Sequence, residues 1–135
     1  MNPPALLGFQ ILLGISDTAT GALLAMAPGV TLRLLRLAAP ADALPFVSFV
    51  GAFVLAVGLS YLYGGYLTFR SDSQTKLEVV WLLTALMRAS VAIFVVQQIL
   101  AGTFGMGWVS IAAFDGACVV IQAVGLRRGW LACAA

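Results

Sequence analysis

The chain has 135 residues, of which 62% are hydrophobic and 9% charged, with a formal net charge of +2 and a mean hydropathy of +1.07. A soluble domain carries about 25% charged residues, so a water-exposed surface cannot be built from what is left here. So small a net charge argues against a nucleic-acid partner, and the few basic residues read as topology signals and contacts to lipid headgroups.

The N-terminal Met1-Asn2-Pro3-Pro4 lacks the positive charge of a secretory signal, so the apolar run from Leu6 to Ala27 reads as a first, retained span. Pro28-Gly29 ends it, because proline breaks the helical hydrogen-bond ladder and glycine suits a helix exit. Residues 31–37 read Thr-Leu-Arg-Leu-Leu-Arg-Leu. Arg33 and Arg36, three apart, would share a face of a short helix lying in the headgroup region; a plain loop with snorkelling arginines is the other reading. The second span covers Leu44 to Phe69, with Pro45 in its first turn. Gly51 and Gly58 lie two turns apart on one face of it. Tyr61, Tyr63 and Tyr66 near its end have the pattern of an interfacial aromatic belt.

Thr75 and Glu78 form a Thr-x-x-Glu capping box, and the third span runs from Lys76 to Leu100. The glycine-rich stretch 102–107 lacks the lysine and hydroxyl of a phosphate-binding loop and reads as a tight turn. The fourth span covers Trp108 to Leu126. Trp108 and Trp130 are 22 residues apart, about 33 Å in a continuous helix, which matches a bilayer core with tryptophan at each interface; Trp81 reads as another such anchor. The expected fold is therefore all-α: a single domain over residues 1–135, an antiparallel four-helix transmembrane bundle with short connections. Arg70, Lys76, Arg127 and Arg128 fall on the side of both termini and Arg33 and Arg36 on the other, which puts both termini in the cytoplasm.

Three charged residues fall inside these spans, at one depth: Asp17, Arg88 and Asp115. Each costs about 2.5–3.5 kcal/mol to insert, so they are expected to point inward and meet, with Arg88 bridging the two aspartates. Around them run stripes of small and polar residues, the types that pack between membrane helices: Gln10, Gly14, Asp17 and Gly21 in the first span, Thr84 and Arg88 in the third, Asp115, Cys118, Gln122 and Gly125 in the fourth. Two aspartates and one arginine sum to −1 when all are ionised, a charge that a dry bundle resists; a protonated aspartate, or a cation or water in the site, is the expected accommodation.

A buried charge layer can fix helix register, or it can be a proton-linked or polar-ligand site. The candidate site residues are Asp17, Arg88, Asp115, Gln10, Thr84 and Gln122, with Gly14, Gly21, Gly51 and Gly58 as packing positions. With no histidine in the chain, haem and zinc are not expected. Cys118 and Cys133 do not form a CxxC pair, which argues against thiol–disulfide exchange; Cys118 reads as a small packing residue. These features favour a non-enzymatic membrane module that binds a small or lipophilic ligand, or a membrane partner, around the charges. A proton-coupled transporter working as a homodimer is the first alternative.

The order of features resembles the small four-helix bacterial membrane proteins of the DoxX-like group: a glycine-containing first span ending in Pro28-Gly29, the Gly51-to-Gly58 second span leading into Gly58-Leu59-Ser60-Tyr61-Leu62, a third span with central Arg88 and a fourth with central Asp115. The resemblance covers most of the chain. It implies the four-helix fold, residence in the bacterial inner membrane and, as a second alternative, an accessory role in a quinone-linked redox system with a quinone or lipid as ligand. The chain is also similar in length to small multidrug exporters, which carry one acidic residue in span one as Asp17 does here. Theirs is a glutamate within an aromatic-rich motif that is absent from this sequence.

Overall fold

Every long apolar run in the sequence is helical. The computed structural model describes residues 3–70 and 74–134, and among them there is no strand. The described residues form five α-helices: α1 Pro3–Met26, α2 Pro28–Leu34, α3 Leu44–Phe69, α4 Gln74–Leu100 and α5 Val109–Arg127. Of these α1, α3, α4 and α5 are each long and apolar enough to cross a membrane. Short 3₁₀ turns at Ala41–Ala43, Met106–Trp108 and Trp130–Ala134 complete the chain.

The helix ends differ from the sequence-based boundaries for identifiable reasons. Pro28 does not close α1 into a loop; it opens α2, in whose first turn its missing N–H costs nothing. The short helix is therefore residues 28–34, and Arg36 lies beyond it with a φ of 56°. Arg33 and Arg36 consequently do not share a helical face. The end is a Schellman turn: the Leu37 N–H bonds the Leu32 carbonyl at 2.8 Å and the Arg36 N–H bonds the Arg33 carbonyl at 3.1 Å. Leu32 and Leu37, which bracket this turn, are both buried. Thr75 lies inside α4 rather than at its cap, and the Gln74 amide donates to Glu78 Oε1 at 2.6 Å. The other end of the fourth span also breaks early. Arg127 is the last residue of α5 and Gly129 has a φ of 64°, so no continuous helix joins Trp108 to Trp130.

The long helices alternate in direction and associate as two close pairs. In the first, α1 and α3 run antiparallel with glycine at each crossing: Gly14 faces Leu62, Gly21 faces Leu55, Gly51 faces Leu24 and Ala25, and Gly58 faces Asp17 and Thr18. At Gly21, Gly51 and Gly58 an added Cβ would run into backbone, and at Gly14 into the Leu62 side chain. A Cβ on Gly58 would lie 2.6 Å from Thr18 Oγ1 and 2.8 Å from the Asp17 carbonyl carbon. In the second pair, α4 and α5 are antiparallel, with Gly125 against the Trp81 ring.

The two pairs share an apolar cluster at the end that carries the termini, built from Leu6, Leu67, Leu77, Trp81 and Leu131, with Phe9, Val80 and Leu126 around it. Trp81 is fully buried there and is not an interfacial anchor. Trp108 stacks on Phe104 in the α4–α5 turn, ring centres 4.6 Å apart.

Close backbone approach and open helix surface predict opposite effects of one added methyl group. Gly58→Ala should lower stability by about 1–3 kcal/mol through overpacking. Gly116→Ala, where nothing lies within 4 Å of the new carbon, should raise it by up to about 1 kcal/mol through helix propensity. Thermal unfolding of the two variants checks this; equal shifts would refute the tight α1–α3 crossing.

Candidate functional site

Between the two helix pairs the packing changes from glycine to hydrogen bonds. The centre is Arg88, on the inward face of α4 one turn beyond Thr84. Its guanidinium spends each nitrogen on a different helix. Nη2 donates to Asp17 Oδ2 on α1 and Nη1 to Asp115 Oδ1 on α5. Nε donates to the Tyr61 hydroxyl on α3 at 3.0 Å. Rings flank the cation on two sides, with Tyr61 and Phe114 each centred 5.2 Å from the guanidinium carbon. Planar geometry and several fixed donors make arginine suited to this; lysine could not present them in one plane.

A second tier continues toward the termini. Having accepted from Arg88, the Tyr61 hydroxyl donates to Gln122 Oε1 at 2.9 Å. The Gln122 amide donates to Thr84 Oγ1 at 2.7 Å and to the Trp81 carbonyl at 3.2 Å, and Thr84 donates to the Val80 carbonyl at 2.8 Å. The donors therefore run one way, from the guanidinium through phenol, amide and hydroxyl to the backbone of α4. Tyr61 cannot be replaced in this chain without leaving both an unmet donor and an unmet acceptor.

Gln10 belongs to a separate contact. It is fully buried, and its amide donates to Thr68 Oγ1 at 2.8 Å, which in turn donates to the Gly64 carbonyl at 2.9 Å. Gln10 Oε1 presses on Gly64, where a side chain would collide with it. Gln10 Oε1, Thr18 Oγ1 and Trp81 Nε1 are buried atoms without a hydrogen-bond partner among the described residues.

The structure thus brings Asp17, Arg88 and Asp115 together and joins Thr84 and Gln122 to them through Tyr61, while Gln10 sits apart with Thr68. Gly14, Gly21, Gly51 and Gly58 line the α1–α3 crossing. Cys118 is buried beside Leu13 and Tyr61. In the sequence Tyr61 groups with Tyr63 and Tyr66 as an interfacial aromatic belt. Only the latter two are exposed; Tyr61 has no exposed surface. Its position three residues after Gly58, on the glycine face, is the signal that could have separated it. Thr68, seven residues after Tyr61, is a second buried polar residue of α3, with no signal in the sequence that marks it out.

The charges in this layer do not balance. Each aspartate gives one oxygen to Arg88, leaving Asp17 Oδ1 and Asp115 Oδ2 without a protein partner among the described residues. The side chains of Asp17 and Asp115 retain 10% and 11% exposure, against 5% for Arg88. The arrangement can accept a proton or a hydrogen-bond-donating or cationic group at either free oxygen. Among the described residues no set of three or more histidine, cysteine, aspartate or glutamate side chains is placed to hold a metal ion. Compared with known proteins, the chain matches no family model, no curated protein and no solved structure.

Removing one oxygen atom tests the one-way chain. Tyr61→Phe keeps the ring and its packing but strands Arg88 Nε and Gln122 Oε1, and should cost about 1–3 kcal/mol per group left unmet. In a double-mutant cycle with Gln122→Leu the losses should be markedly less than additive. Additive losses would mean that the phenol does not link the two tiers.

Proposed function

We propose that this chain is an integral membrane protein of non-enzymatic type, a four-helix transmembrane bundle that binds a small or lipophilic ligand, or a membrane partner, at the Asp17–Arg88–Asp115 layer. The membrane placement is supported by an inverted distribution of side chains. Leu12, Met26 and Leu100 are 71%, 85% and 83% exposed, while the charges of the long helices' central turns are inside. An exposed apolar surface of that extent is stable only against lipid or protein. A bacterial inner membrane with both termini on the cytoplasmic face fits the greater number of basic residues on the terminal side. The order of glycine, arginine and aspartate spans supports kinship with the DoxX-like group at the level of architecture.

The observation that carries the binding reading is the pair of free carboxylate oxygens on a layer with one positive and two negative groups. A purely structural lock would be expected to balance its charges in a dry bundle. Here one acceptor on each side of the guanidinium remains open, at mid-helix depth. The fitting ligand is one that brings a proton, an amine or a hydroxyl to that depth.

The reading is tested on protein purified in lipid nanodiscs. Native mass spectrometry should show a small molecule or partner chain retained by the parent and depleted about tenfold or more in Asp17→Asn or Asp115→Asn, since a tenfold loss needs only about 1.4 kcal/mol. Equal spectra for parent and variants would leave the layer as a register lock only. Acidification of dye-loaded vesicles by the parent, abolished in Asp17→Asn, would instead establish the transporter alternative.

A further inference from the structure

The binding layer makes no use of α2, the turn that follows it, or the backbone strain stored there. Arg36 occupies the position of the Schellman turn that glycine ordinarily takes, with a φ of 56°. For a residue with a Cβ this left-handed geometry is disfavoured. Arg36 makes no side-chain hydrogen bond or ion pair among the described residues and is exposed. Arg33, one turn back, is exposed as well. Its Nε is tethered to the Gly29 carbonyl at 3.1 Å, which fixes the side chain along α2 and leaves both terminal nitrogens unspent. The end of α2 favours a basic residue by its dipole. That accounts for Arg33 and not for placing Arg36 where glycine would relax the backbone.

The surroundings are those of a surface seated on lipid. Val30 and Leu34, one turn apart on α2, are exposed, as are Leu35 and Met26. On the opposite side Thr31 and Leu32, with Leu37 in the turn, are buried against the bundle and hold the segment in place. An apolar strip and two exposed arginines in one short segment, set between two long apolar helices, complement an anionic phospholipid: acyl chain against the apolar side chains, phosphate against the arginines.

We infer that α2 and its C-terminal turn form a docking surface for anionic phospholipid headgroups, held by Arg33 and Arg36. It rests on the membrane placement proposed above and is independent of what the central layer binds. Phosphate is the recognised group, and a lipid is the source because the neighbouring apolar strip has no role toward a free ion.

The test uses the full chain reconstituted in vesicles of phosphatidylcholine with and without phosphatidylglycerol, followed by native mass spectrometry of retained lipid. The parent should retain phosphatidylglycerol over phosphatidylcholine. Arg33→Gln and Arg36→Gln should each lower that preference about fivefold, the effect of one basic residue at an anionic surface. Arg36→Gly separates binding from folding: it should melt at the same or a higher temperature while retaining less phosphatidylglycerol. Undiminished retention in Arg36→Gly and in the double glutamine variant would overturn the inference, as would arginine-dependent binding of inorganic phosphate by a parent that shows no preference for phosphatidylglycerol. Alkaline extraction of the parent from the vesicles keeps the two readings apart. Release would refute the membrane placement; firm insertion without lipid preference would refute the headgroup site alone.

Discussion

The Arg88 guanidinium meets a side chain from each of the other three long helices, and the bundle's architecture follows from that convergence. Arg88 stands on α4, and its three nitrogens reach Asp17 on α1, Tyr61 on α3 and Asp115 on α5. A cation placed in an apolar interior without such partners costs several kcal/mol, so the four helices cannot settle in any register that leaves it alone. Burial of apolar area does not supply that selectivity. The helices are apolar on nearly every face, and in the proposed membrane placement packing and hydrogen bonds, not hydrophobicity, decide which faces meet.

Two modes of association divide the work. Within the α1–α3 pair, glycines let the backbones approach until no Cβ fits at Gly21, Gly51 and Gly58, which gives a long, close contact. Between the pairs the contact is carried by long polar side chains in two tiers, charged at mid-helix and neutral toward the termini, closed at the terminal end by the Leu6, Leu67, Leu77, Trp81 and Leu131 cluster. The two halves are thus joined through a few directional bonds, and the proposed ligand at the free carboxylate oxygens would sit where the halves meet. The same layer can therefore be a structural lock and a binding site, because satisfying Arg88 does not use up its partners.

The sequence made the long helices and their three interior charges legible because both signals are strong. Runs of more than twenty apolar residues have few alternatives, and an aspartate or arginine in the middle of one has to be satisfied internally. The glycine face of α3 was legible from spacing. What stayed hidden depended on tertiary context. Tyr61 shares its chemistry with Tyr63 and Tyr66, and only the three-dimensional direction of the Gly58 face tells it from them. Trp81 and Trp108 look alike in sequence, yet one fills the core beside Gly125 and the other stacks in a turn. Pro28 is as good a first residue of a helix as it is a terminator, so the identity of the residue alone could not say that α2 begins there. The left-handed backbone at Arg36 is invisible to pattern reasoning, which assigns that geometry to glycine or asparagine.

Arg88 joins the two helix pairs by satisfying both carboxylates at once. The direct measurement is the unfolding free energy, in one lipid or detergent system, of Arg88→Leu beside the triple variant Asp17→Leu, Arg88→Leu, Asp115→Leu. The single variant, which strands two carboxylates, should lose about 3–5 kcal/mol, and the triple variant, which strands none, should recover most of that loss. A single variant as stable as the parent, or a triple variant no better than the single one, would contradict that role of Arg88.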